Sequence, residues 1–173
     1  MPDATGLELI RQELGSAVLD TTFFRERATL VIEPQGIRSV LAQLRQKGYS
    51  FMASLHGVDY YPEEPRLGVI YELLDMGRQD RISVKLRVPS EAAEVDSALP
   101  ELPGDPGWPA AIHQEREVYD MFGVRFRGHA DLRRILMPES SPTTTHSNRE
   151  RRDEPGRAGH QRAVERHLRV PAS

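Results

Sequence analysis

Three strand-like segments follow one another in the middle of the chain, and they constrain the fold more than any other feature. They span residues 49–58, 67–74 and 81–88. In the third segment Ile82, Val84, Leu86 and Val88 alternate with Ser83, Lys85 and Arg87. This alternation is typical of a strand with one buried and one solvated face. Because residues 76–80 predict a short hairpin to the second segment, we expect a mostly antiparallel sheet.

Apolar residues at intervals of three and four predict two amphipathic helices before these strands. The first helix contains Leu7, Ile10, Leu14 and Val18, and the second contains Ile37, Val40, Leu41 and Leu44. A strand-like run, residues 28–32, separates the helices, and Gly48 stands where the second should end. This order predicts an α+β fold in one domain, with a mostly antiparallel sheet and helices packed on one of its faces.

A proline-rich connection leads to a third helix. Residues 89–109 contain five prolines and two glycines, which predict a long surface segment with a short helical stretch near residues 91–99. The segment ends at Trp108, the only tryptophan. Pro109 suits the first position of a helix, and Gly123 suits its end. We therefore expect a helix over residues 109–122.

One carboxylate of this helix stands on its apolar side. The apolar stripe contains Trp108, Ala111, Ile112, Val118, Tyr119 and Phe122, and the opposite, polar face carries His113, Arg116, Glu117 and Asp120. Glu115 falls in the middle of the apolar stripe, so its charge must be neutralised or paired. The candidate cations in the next segment are Arg125, Arg127, Arg133 and Arg134. We expect a buried ion pair that locks the helix to this segment, because no nucleophile or metal partner accompanies Glu115 for acid–base catalysis.

The residues after the helix predict a short strand at 124–127 and a turn at Gly128 and His129. His129 has no second histidine or carboxylate at metal-ligand spacing, so we interpret it as a turn or interface residue. The cluster Asp59, Tyr60 and Tyr61 has the composition of a turn at the end of a strand.

Composition divides the chain near residue 139. Residues 1–139 carry a net charge of −6, whereas residues 140–173 carry +3, with seven arginines and no aromatic residue. Such a segment buries too little apolar surface to offset its ordering entropy. We therefore predict a folded domain over residues 1–139 and a disordered, arginine-rich tail over residues 140–173.

The sequence lacks the residues and motifs that several classes of function require. The chain has no cysteine, which removes disulfides, thiolate nucleophiles and iron–sulfur clusters held by this chain alone. No dinucleotide-binding or phosphate-binding glycine loop, zinc-protease motif or serine-hydrolase motif is present. No apolar run has the length of a membrane span, and the N-terminus lacks the basic region of a secretory signal. These observations predict a scaffold without a cofactor rather than an enzyme with its own active site.

The stretch from Glu115 to Glu139, EREVYDMFGVRFRGHADLRRILMPE, is more specific than these physical arguments require. It resembles the signature of the C subunit of proton-translocating NADH–quinone oxidoreductase, the 30-kDa subunit family of respiratory complex I. The likeness covers residues 25–139. The matching positions that we expect to serve folding and docking are Glu115, Arg116, Glu117, Tyr119, Asp120, Phe122, Gly123, Gly128, His129, Asp131, Arg133 and Arg134.

The resemblance implies a cofactor-free subunit of the peripheral arm, on the cytoplasmic side of the membrane and associated with the membrane only through the complex. Flavin, iron–sulfur clusters and quinone would be held by partner subunits. The expected partners are the other peripheral-arm subunits, above all the large subunit that helps form the quinone site. Electron transfer from NADH to quinone, coupled to proton translocation, would then belong to the complex, and this chain would carry no catalytic site.

Two departures and two alternatives accompany the resemblance. Ala130 stands where the family has proline, and the sequence after Glu139 lacks the usual continuation. Residues 140–173 are either a lineage-specific extension or an out-of-frame product of a GC-rich gene. A homologous subunit of an energy-converting hydrogenase, or of a ferredoxin- or F420-linked complex, is the alternative within the family. A small nucleic-acid-binding protein with an arginine-rich tail is the alternative from another class, although the acidic body of the chain argues against nucleic acid.

Overall fold

A computed structural model describes residues 4–25, 27–100 and 107–138. The helices are α1 (Ala4–Leu14), α2 (Ile37–Gln46) and α3 (Ala111–Phe122). The strands are β1 (Val18–Phe24), β2 (Arg27–Ile32), β3 (Phe51–Asp59), β4 (Leu67–Asp75), β5 (Asp80–Val88), β6 (Glu94–Asp96) and β7 (Arg125–Arg127). The tail predicted for residues 140–173 lies outside the described residues, so that prediction remains a prediction.

The main sheet has five strands in the order β1-β2-β5-β4-β3. All its pairs are antiparallel except β2 with β5, which are parallel, and β5 lies between β2 and β4. The predicted hairpin joins β4 to β5, with Asp75 opposite Asp80. The α+β fold with a mostly antiparallel sheet is therefore confirmed. A second, two-stranded sheet pairs β6 with β7 in parallel.

Two predicted helical segments are present but end earlier than expected. The first helix ends at Leu14, because Gly15 takes a left-handed conformation with φ of +61°, and Val18 begins the edge strand β1. Val18 is apolar because it packs in the core from strand β1, and its distance of four residues from Leu14 only coincides with a helical interval. The stretch predicted as helical at 91–99 contains one 3-10 turn, Ser90–Ala92, followed by strand β6.

The main core lies on one face of the sheet. Alternate residues of the three central strands are fully buried there, including Leu30, Tyr71 and Val84. Helix α3 packs on β3, where a Cβ atom at Gly57 would lie 2.7 Å from Cε2 of the Phe122 ring. This close approach requires glycine, because any side chain would displace the ring.

The other face of the sheet is more covered than the alternation predicts. Ser83 is 4% exposed, so its predicted position on a solvated face is wrong. The reason is that Thr29 on β2 and Glu72 on β4 stand directly beside Ser83 on the same face, and the Ser83 hydroxyl donates a hydrogen bond to Glu72. Lys85 and Arg87 remain partly exposed.

None of the helices in the described ranges has the length and apolar character that crossing a bilayer requires.

Candidate functional site

Helix α3 begins at Ala111, slightly later than predicted. It ends at Gly123, which has φ of +76° and donates its N–H to the Tyr119 carbonyl at 2.9 Å. This left-handed cap fits glycine, since other residues are strained there. The helix thereby turns the chain into β7 and carries the signature residues into contact with two separate loops.

The buried position of Glu115 is confirmed, because its side chain is 0% exposed. Its partners are not arginines of the following segment. The Ser97 hydroxyl donates to Oε2 at 2.7 Å, and the Ala98 backbone N–H donates to Oε1 at 2.6 Å. The prediction of an arginine partner from the next segment is therefore wrong. The physical reason for the difference is that β6 pairs with β7, which brings the loop before α3 beside Glu115.

Burial raises the pKa of Glu115 to about 7. The hydrogen bonds from Ser97 and Ala98, and the more distant charge of Arg38, act in the opposite direction. Two donors therefore compensate the burial of this carboxylate only in part, and the group keeps its proton to a higher pH than an exposed glutamate does. Because it is sealed from solvent, Glu115 is a structural group rather than one that a substrate can reach.

Arg116 and Asp120 are buried, which corrects their predicted place on a solvated face. Arg116 is 9% exposed and Asp120 is 1% exposed, whereas Glu117 is exposed as predicted. The reason is that residues 129–137 fold back along α3 and cover this side of the helix. Arg116 donates from Nε to the Arg133 carbonyl at 3.1 Å and from Nη2 to the Arg134 carbonyl at 3.3 Å.

Asp120 holds the end of this returning segment. Its Oδ2 atom accepts the backbone N–H groups of Ile135, Leu136 and Met137 at 3.1, 2.7 and 2.8 Å. Burial alone would raise the pKa of Asp120, but the three backbone donors and the charge of Arg134 outweigh it and hold the pKa below its ordinary value. A carboxylate that accepts several N–H groups in this way is a charged anchor for a tight turn.

The anchored turn, by which we mean residues 133–137, presents apolar side chains to the outside. Ile135, Leu136 and Met137 are 39%, 59% and 37% exposed, although their backbone N–H groups are held by a buried carboxylate. A rigid backbone that exposes adjacent large apolar side chains is typical of a protein–protein contact.

His129 fastens the start of the returning segment. Its Nε2 atom lies 3.0 Å from the Ile112 carbonyl, and its Nδ1 atom accepts the Asp131 N–H at 3.0 Å. Both ring nitrogens are therefore engaged by backbone groups, which supports the interpretation as a turn residue. Asp131 in turn forms an ion pair with Arg133 at 3.0 Å.

The other signature residues have structural contacts. Phe122 packs over Gly57, Tyr119 is half-buried, and Gly128 takes φ of +81° in the turn after β7. Arg134 donates to the Pro138 carbonyl at 3.1 Å and lies 3.8 Å from Asp120. The structure thus places these residues on α3 or in the segment that returns along it.

Two further groups of polar residues lie away from α3. Asp59 ends β3 and forms a bidentate ion pair with Arg66 at 2.8 and 2.6 Å. This place at the end of a strand agrees with the composition of the cluster. A pocket beside α2 contains Arg45, whose guanidinium lies 4.9 Å from the Trp108 ring and donates to the Gly107 carbonyl. In the described ranges no three histidine or carboxylate side chains are grouped to hold a metal.

Comparison with known proteins agrees with the signature. The family of the respiratory-chain NADH dehydrogenase 30 Kd subunit matches residues 30–157. The chain belongs to this family. The match extends past residue 139, where the likeness of the signature ends.

Relatives and solved structures are similar over most of the chain. The C subunit of the NADH-quinone oxidoreductase of Roseiflexus sp. (strain RS-1) is 39% identical over 142 residues, which cover 80% of this chain and 78% of that protein. The same subunit of Citrifermentans bemidjiense is 35% identical over 131 residues, 75% and 78% of the two chains. The trypsin-resistant fragment (1-134) of Nqo5 has a TM-score of 0.63 and 27% identity, covering 76% of this chain and all of the fragment.

The fold also occurs in an archaeal complex. A chain of the membrane-bound sulfane sulfur reductase, an archaeal respiratory membrane complex, has a TM-score of 0.63 and 24% identity. It covers 81% of this chain and 80% of that one. At this identity the likeness concerns the fold alone.

Proposed function

We propose that the chain is a scaffold subunit, without a cofactor or catalytic site of its own, in the peripheral arm of an NADH–quinone oxidoreductase. In this proposal flavin, iron–sulfur clusters and quinone are held by partner subunits. The chain lies on the cytoplasmic side of the membrane and associates with it only through the complex. The family and the relatives from NADH-quinone oxidoreductases support this function.

The anchored turn carries the docking part of the proposal. Three backbone N–H groups converge on one buried carboxylate, and the neighbouring apolar side chains remain exposed. A core contact would bury Leu136, whereas a free surface loop would not need a charged anchor beneath it. We infer that a partner subunit, the large subunit that helps form the quinone site, covers these side chains.

Affinity purification tests this function. The tagged full chain is expressed with the other subunits of its complex, and the proteins that accompany it are identified by mass spectrometry. We expect flavin and iron–sulfur subunits of an NADH–quinone oxidoreductase. Hydrogenase-type subunits would assign the chain to the alternative complex of the family. A salt-dependent shift with DNA and no accompanying subunit would favour nucleic-acid binding instead.

A matched pair of variants tests the docking surface. Leu136→Glu places a charge on the anchored turn, and Leu9→Glu places one on α1 at nearly the same exposure, 56% against 59%. We expect Leu136→Glu to lower recovery of the quinone-site subunit about tenfold, because a charge is buried in the contact, and Leu9→Glu to leave recovery unchanged. Equal effects of the two variants would contradict the docking role of the turn.

A further inference from the structure

The sheet face opposite the main core is arranged in rows that run across the strands. One row consists of Thr22, Thr29, Ser83, Glu72 and Ser54, which are neighbours in register. We call it the hydroxyl row. The members of this row are polar, and all except the buried Ser83 are at least partly exposed to solvent.

The last row of the same face has a different character. It consists of Phe24, Arg27, Arg81, Leu74 and Phe51, and we call it the terminal row. Phe24 is paired with Arg27, Arg81 with Leu74, and Leu74 with Phe51. Ala28 is paired with Ile82 in the parallel pair of β2 and β5, so the preceding residues of the two strands, Arg27 and Arg81, are also neighbours.

The apolar members of the terminal row are exposed at both of its ends. Phe24 is 69% exposed and Phe51 is 50% exposed. Aromatic residues in strands usually pack against neighbouring side chains, so this exposure is unusual. Neighbouring strands lie about 4.8 Å apart, so five strands separate the two rings by roughly 19 Å. That distance is the length of a helix of about 13 residues.

The two arginines between the rings, Arg27 and Arg81, have no charge partner among the described residues. Both are exposed, and in the part of the chain that the structure describes no hydrogen bond or ion pair engages either guanidinium group. Like charges on neighbouring strands repel each other. The guanidinium of Arg25 adds a third positive charge, 5.2 Å from the Phe24 ring. The terminal row is thus a positive centre with an aromatic residue at each end.

We propose that the terminal row is a second docking surface, and that its occupant is an acidic, amphipathic segment of another subunit of the same complex. This inference rests on the proposed function. Carboxylates of the segment would take the two guanidinium groups, for which bidentate geometry is favoured. Its apolar side would cover Phe24 and Phe51, in the manner of aromatic anchors at protein interfaces.

Charge distinguishes this occupant from two others. A second copy of the chain, placed on the row by a two-fold axis, would bring Arg27 and Arg81 against the same arginines. Residues 140–173 carry a net charge of +3, so this tail has the same sign as the row. An acidic partner segment is the occupant that relieves the repulsion.

The test is made in the assembled complex with the full chain. A photo-crosslinking phenylalanine analogue replaces Phe51, and Arg27→Glu with Arg81→Glu reverses the charge of the row. Arg11→Glu, which reverses an exposed arginine on α1 that lies 3.7 Å from Glu8, is the control for a charge reversal elsewhere on the surface. We expect cross-links to an acidic segment of one subunit and about tenfold lower recovery of that subunit with the double variant. Reversing the acidic residues of the cross-linked segment to arginine should restore recovery.

The outcomes separate this proposal from the proposed function. Cross-links to a second copy, to residues 140–173 or to nucleic acid would overturn the acidic segment, as would unchanged recovery with the double variant. Absence of any oxidoreductase subunit with the unmodified chain would instead overturn the proposed function. If the double variant has a lowered unfolding midpoint, Arg27→Gln with Arg81→Gln removes the charge without reversing it, and unchanged recovery then counts against the proposal.

Discussion

Glu115→Gln tests whether burial rather than an ion pair governs the central carboxylate of α3. The amide is neutral at every pH and imitates the protonated acid in size and shape. Its oxygen can still accept the Ala98 N–H, and its NH2 group can donate to the Ser97 hydroxyl oxygen. The variant therefore isolates the free energy of holding a charge in this position.

The sign and size follow from the raised pKa. The carboxyl titrates near 4.5 in an unfolded chain and at about 7 in the fold, so the folded state binds the proton more tightly. Stability from this group is complete below pH 4.5 and is lost as the pH rises through 7. The difference of the two pKa values corresponds to about 3 kcal/mol. At pH 8 we expect Glu115→Gln to be more stable than the unmodified chain by up to about 3 kcal/mol.

Urea unfolding from pH 4 to pH 8, followed through the fluorescence of buried Trp108, measures this difference. Other titrating groups are common to both proteins, so the difference between their free energies of unfolding reports Glu115 alone. Glu117→Gln, two residues further on and exposed, is the control and should change stability by less than about 0.5 kcal/mol at every pH. A pH-independent difference, or a variant less stable at pH 8, would refute the argument from burial.

Three further changes test other parts of the site. Asp120→Asn should cost about 2 kcal/mol in unfolding free energy above pH 4 and less below it, because a charged acceptor of three N–H groups is lost; urea titrations at pH 3 and pH 7 compare the two, and equal losses would contradict a charged anchor. Tyr71→Phe should stabilise the fold by about 1 kcal/mol, since its buried hydroxyl has no hydrogen-bond partner among the described residues; a lowered thermal midpoint would indicate an unseen partner. Gly57→Ala should cost about 1–3 kcal/mol by displacing Phe122, which urea unfolding would show, and an unchanged midpoint would mean that the ring moves freely.

Local periodicity and turn chemistry predict much of the fold. The hairpin between β4 and β5, helix α2 and the glycine that ends α3 follow from residue spacing and backbone preference. Strand β1 could not be predicted in this way, because Val18 lies at a helical interval from Leu14. Glycine at position 15 was the available signal, since a left-handed residue there ends the helix three residues before Val18.

The partners of the site residues depend on contacts that no local pattern contains. The helical phase predicts a buried Glu115, but its donors come from Ser97 and Ala98, in the middle of the proline-rich connection. Arg116 and Asp120 belong to the polar side of the helix by composition. They are buried because the returning segment, rather than solvent, covers them. The spacing of residues along the sequence predicts which face of a helix a side chain occupies. The residues that it contacts depend on the tertiary fold.

Helix α3 connects two loops through two carboxylates of opposite electrostatic character. Glu115 faces the loop before the helix, and burial raises its pKa to about 7. Asp120 faces the anchored turn, and its backbone donors hold its pKa below the ordinary value. Asp120 therefore stays charged throughout the neutral pH range, whereas Glu115 gains or loses its proton within that range. It follows that a change of pH near neutrality should alter the stability of the core without loosening the turn that we propose for docking, so that stability and assembly can be perturbed separately.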